Sequence, residues 1–136
     1  MNKNTPRSII AVTVGALAGL ILTLGTDIVL HAARVFPPWG ERVSDGPLLL
    51  ATAYRTLFGV LGSYIAARLA PDRRMFHAMV LGLIGFAVSV LGAALTWKKG
   101  PAFGPHWYPL ALVVLALPQA WLGGKFGGDK QIQAPA

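Results

Sequence analysis

Four long apolar stretches alternate with short polar pieces along the chain, at 9–33, 47–70, 75–96 and 108–124. A helix needs roughly 20 apolar residues to cross about 30 Å of hydrocarbon. The first three stretches meet that length, and the fourth is the shortest. The fourth also contains Pro118 and Gln119. A proline inside a helix removes one backbone hydrogen bond and kinks it, and in lipid the freed carbonyl needs another partner. This span is expected to run on through Gly123 and Gly124 to Lys125, with a re-entrant course as the alternative. The pattern predicts an all-α integral membrane protein. It forms a four-transmembrane-helix bundle of two antiparallel helical hairpins, one membrane domain over 1–136 with short loops and no soluble domain.

The first stretch follows Lys3 and Arg7, as a signal peptide would. It is too long for an h-region, however, and its alanine pairs are misplaced for cleavage. An uncleaved helix is expected.

Composition sharpens this picture. Of 136 residues, 54% are hydrophobic and 12% are charged, and mean hydropathy is +0.58. Soluble domains carry about 25% charged residues. An ordinary soluble enzyme, a disordered chain and a coiled coil are excluded. The net charge is +7 and the pI about 10.4. The basic residues cluster at the ends of the apolar runs, which reads as topogenic charge and headgroup contact rather than nucleic-acid binding. The absence of cysteine excludes disulfides, thiolate metal sites and cysteine nucleophiles.

With four spans, one side holds Lys3, Arg7, Arg68, Arg73, Arg74, Lys125 and Lys130. The other holds Arg34, Arg42, Lys98 and Lys99. Basic residues favour the cytoplasmic side, so both termini are expected there. Richness in Ala, Gly, Leu and Arg suggests a bacterial source, hence the inner membrane. The two outward loops, 34–46 and 97–107, are rich in Pro, Gly and aromatics and read as an interfacial belt, or as a docking surface for a partner protein.

Residues 64–72 and 121–129 match by residue class at an offset of 57. A duplicated hairpin would produce this. So would two helices that each need an interfacial aromatic and then a snorkelling cation.

Asp27 and Arg55 are the ionisable residues set well inside the apolar stretches. A charge near the bilayer centre costs at least about 2.5–3.5 kcal/mol, so such groups pair, face the bundle interior or line a water path. At 1.5 Å rise per residue, both lie about 9–12 Å below the outer ends of adjacent antiparallel helices. A direct Asp27–Arg55 ion pair is expected. It either locks the two helices in register or serves proton or solute movement.

Thr23, Asp27 and His31 recur every fourth residue as a polar stripe. Thr52, Thr56 and Ser63 lie on the broad face of the second helix that also carries Arg55. Together these residues suggest a polar crevice open to the outside, with His31 as a proton relay because imidazole exchanges protons near neutral pH. Gly15 and Gly19 form a GxxxG, and Gly82, Gly85, Ser89 and Gly92 form a small-residue band on the third helix. Both read as helix-packing faces, within the chain in preference to between chains. The three histidines are placed poorly for haem, and no metal-ligand spacing, phosphate loop or catalytic triad occurs. No cofactor, metal or catalytic residue is expected.

The expected function is non-enzymatic: an accessory or structural subunit of a membrane assembly, or a self-associating bundle. The alternative is a small-solute or proton-coupled transporter or channel built on Asp27 and Arg55. The expected partners are the lipid bilayer and a membrane protein or a second copy of the chain.

Overall fold

The computed structural model of the chain describes residues 4–38, 44–98 and 105–133. Four helices follow one another: α1 (Asn4–Ala32), α2 (Asp45–Leu69), α3 (Arg74–Thr96) and α4 (Trp107–Gln133), with no strand among the described residues. All four are long and apolar enough to cross a membrane.

The helix ends follow local chemistry. Pro6, Pro47 and Pro109 each fall in a first turn, where a missing N–H costs nothing. α2 stops just before Pro71, and the Ala70 N–H bonds back to the Ala66 and Ala67 carbonyls. After α1, Arg34 takes a left-handed conformation (φ 63°), a common helix terminator. The backbone N–H groups of Val35 and Phe36 then bond to the Leu30 carbonyl, which folds Phe36 back over the helix end.

Two expected boundaries move. α1 begins at Asn4 instead of residue 9, because Thr5, Ser8 and Arg7 continue the helix as a polar first turn. α4 runs unbroken from Trp107 to Gln133 instead of ending at 124, passing straight through Pro118. That continuous course replaces the re-entrant alternative. Gly123, Gly124, Gly127 and Gly128 stay helical because neighbouring helices press against them.

α1 runs antiparallel to α2, with Gly15 against Gly62 and Gly19 against Phe58. α4 runs antiparallel to α3, with Gly82 against Ala120 and Gly124 against Ala78. α2 and α4 lie parallel at the centre, with Gly59 against Gln119, Gly123 against Ser63 and Gly127 against Ala67. α1 and α3 form the flanks and barely touch each other. Their one described polar tie is Ser8 Oγ to His77 Nε2 (2.7 Å), near the end where both helices begin.

Alanine and glycine line the contacts, with Ala11, Ala66, Ala67, Ala78 and Ala120 almost fully buried. Large apolar side chains such as Ile21, Ile28, Leu57, Val88 and Val114 point outward. Small residues inside and bulky apolar ones outside are the arrangement of helices that pack closely in lipid.

The packing does not repeat with the offset of 57. That offset would carry the Gly15–Gly62 contact onto Asp72 and Gln119, whereas Gln119 lies on Gly59 and Gly82 meets Ala120. Asp129 falls among residues whose side chains are outside the described set.

Candidate functional site

The site forms where α1, α2 and α4 converge, roughly a turn and a half inside the end of the bundle that carries the α1–α2 and α3–α4 connections. Asp27 is buried, at 7% exposure. Its Oδ2 accepts a hydrogen bond from Arg55 Nη2 at 2.5 Å. Its Oδ1 accepts the Tyr54 hydroxyl. Both carboxylate oxygens therefore have donors from consecutive residues of one helix. Tyr54 and Arg55 diverge by about 100° around α2 and straddle the carboxylate from either side. Tyr108, in the first turn of α4, sets its hydroxyl beside the Arg55 guanidinium.

An apolar lid covers this cluster on the loop side. Phe36, Ala51 and Tyr54 are buried together, with Leu30, Phe58 and Tyr108 packed around them. Phe36 also meets the His31 ring edge-on at 5.1 Å. The turn after α1 thus packs on Tyr54, whose hydroxyl reaches Asp27.

Arg55 is left less complete. Its side chain remains 33% exposed, and its buried Nε has no hydrogen-bond partner. It borders a cavity of about 440 Å³ that lies between α1 and α3, with α2 and α4 behind.

The residues expected to share one crevice are distributed otherwise. Thr23 and Ser63 line the cavity beside Arg55. His31 lies in a separate surface hollow of about 760 Å³ with Arg34 and Phe36, and its Nδ1 donates to the Asp27 backbone carbonyl at 2.7 Å. The imidazole therefore meets the main chain of Asp27. Thr52 donates to the Leu48 carbonyl of its own helix (2.9 Å). Thr56 lines neither cavity. The residues expected to line one crevice are thus divided between two separate hollows and the helix's own backbone. The hollow that reaches Arg55 lies on the flank between α1 and α3.

The packing faces divide in the same way. Gly15 and Gly19 lie on α2 backbone, and Gly82 lies on Ala120. Gly85 and Gly92 meet nothing within 4 Å of where a Cβ would stand. The expected packing band on α3 therefore ends at Gly82. Gly85 and Ser89 line the cavity, and Gly92 is exposed. The cause is the splay of α1 away from α3.

Tyr54 and Tyr108 were not among the residues anticipated for this cluster. The available signal was a phenol adjacent to an intramembrane arginine, and a second phenol at the start of the helix parallel to it. Of the expected aromatic belt, Trp97 stacks on His106 (3.7 Å between ring centroids), and Trp107 Nε1 donates to Asp45 Oδ1 at 3.0 Å. Trp39, Phe103, Arg42 and Lys99 lie outside the described residues. Among the described residues, no three His, Asp or Glu side chains converge as a metal-binding group.

No protein-family profile, curated protein or solved structure is detectably similar to this chain.

Proposed function

We propose that this chain is a small non-enzymatic protein of the bacterial inner membrane, with both termini cytoplasmic. It serves as a structural or accessory subunit of a membrane assembly, or associates with copies of itself. The observation supporting this reading is the saturated state of Asp27. A carboxylate that moves protons or solute needs a route for them, whereas this one is buried and doubly hydrogen-bonded. Its partners are the residues that hold α1 against α2. A buried carboxylate held by two donors from the neighbouring helix acts as a register lock. The surplus of bulky apolar side chains on the outer surface supports a bilayer environment and leaves broad faces for a neighbouring membrane protein.

The test is extraction from native membranes into lipid nanodiscs, followed by mass determination and identification of co-purifying chains. A stoichiometric foreign subunit or a defined homo-oligomer is the expected result. A lone monomer overturns the proposal.

The cavity bordering Arg55 favours a second reading, a small-solute or proton-coupled transporter. The two readings separate on the double variant Asp27→Leu/Arg55→Met. A register lock replaced by apolar contacts leaves assembly intact, whereas a transporter folds and loses flux.

A further inference from the structure

We infer that the cavity between α1 and α3 binds a neutral amphiphile, whose head presents hydrogen-bond acceptors to Arg55, Ser63 and Gln119 and whose apolar tail leaves between the two flanking helices. The inference stands apart from the register role of Asp27.

The polar groups are at the back of the cavity. Ser63 is 2% exposed and borders it. Among the described residues, the Ser63 hydroxyl has no hydrogen-bond partner, and neither has the Gln119 amide, which lies against Gly59. Arg55 adds a charged side chain that stays one-third exposed at the cavity. Donors left unmatched in hydrocarbon are costly, and lipid tails cannot satisfy them. An occupant with oxygen acceptors can.

Charge restricts the occupant further. Asp27 already neutralises Arg55. A guest with net charge would bring an unpaired charge into the interior of the bundle, and such charges are expensive there. The head is therefore neutral.

Shape supplies the tail. The walls are thinned by Gly19 on α1 and Gly85 on α3, and the mouth is edged by exposed apolar side chains such as Leu20 and Val88. The two helices are clipped together near their starts by Ser8 and His77, so the gap lies farther along, level with the polar groups. A volume of about 440 Å³ falls within the usual range for small-molecule sites. The shared chemistry is that of a prenylquinone or a diacylglycerol: a compact neutral head with at least two acceptor oxygens on a long apolar tail.

Equilibrium binding to the full chain in phosphatidylcholine nanodiscs tests this, with ubiquinone-2 and dioctanoylglycerol as separate probes. One of the two is expected to bind saturably at one molecule per chain, and which one binds identifies the source of the head. Gly85→Leu fills the cavity from a position with open space around it, so helicity and melting temperature should hold while affinity falls at least tenfold. Gln119→Leu keeps the bulk, removes the amide, and should weaken binding to a similar degree. The proposal is overturned if neither probe binds saturably, if Gly85→Leu binds as tightly as the parent, or if position 85 crosslinks to a partner protein's helix in native membranes.

Discussion

Gly15 of α1 and Gly62 of α2 pack backbone to backbone, each carbonyl oxygen lying where a Cβ on the other residue would stand. The contact is reciprocal and involves no flexible atom, so neither helix can yield without moving as a whole. Gly15→Ala and Gly62→Ala should each destabilise the bundle by about 1–3 kcal/mol, the usual range for overpacking. Gly25→Ala, where space is open, should be neutral or slightly stabilising. Thermal melts in one detergent provide the comparison, and equal melting temperatures for all three would refute the close contact.

The Asp27–Arg55 pair predicts a non-additive result. Asp27→Ala leaves Arg55 without its counter-charge, and breaking a buried pair this way typically costs about 3–5 kcal/mol. The double variant Asp27→Leu/Arg55→Met removes both charges together and should cost less than either single change. A double-mutant cycle by unfolding in mixed micelles measures this. Additive single effects would mean the two side chains do not interact in the membrane.

Tyr54→Phe removes one hydroxyl and keeps the ring beneath Phe36. Asp27 Oδ1 then loses its donor, and leaving a buried acceptor unsatisfied costs about 1–3 kcal/mol. Tyr64→Phe, on an exposed position of the same helix, is the matched control. Equal stability of the two variants would remove Tyr54 from the cluster.

Ser8→Ala should release the flank. His77 is 3% exposed, with Nδ1 donating to the Arg73 carbonyl at 3.0 Å and Nε2 facing Ser8 Oγ. Without the serine, nothing polar ties α1 to α3 among the described residues. The chain has no native cysteine, so spin labels can be placed singly near the starts of α1 and α3. Their separation should broaden and lengthen in Ser8→Ala, and an unchanged distance distribution would assign the α1–α3 contact to apolar packing alone.

The same lack of cysteine makes topology directly readable. Asp72→Cys, in the α2–α3 turn, should react with a membrane-impermeant maleimide only after cells are opened. Ser44→Cys, before α2, should react in intact cells. The reverse pattern would invert the proposed orientation.

Different parts of this protein were legible to different degrees before folding was considered. The four helices follow from apolar length, and their stops from Pro71 and the polar connections. The level shared by Asp27 and Arg55 follows from the fixed rise of a helix and the short distance between antiparallel neighbours. Helix ends were less legible: α4 runs on to Gln133 because α2 and α3 support its glycines, information absent from the local pattern. Tyr54 was hidden because a tyrosine in an apolar run looks like any other aromatic until the helix rotation is known.

What the sequence by itself determined was one-dimensional: how many helices, how long, and which polar groups sit at one depth. Length, rise and hydropathy are properties of each helix alone. The tertiary structure decided which faces meet. It set α2 beside α4 in parallel, put Phe36 on Tyr54, and splayed α1 from α3, so that Gly85 lines a cavity while Gly82 lies on Ala120. A stripe of small residues permits close approach equally well against a helix, a ligand or lipid. The choice among these depends on the rotation and tilt of every helix at once.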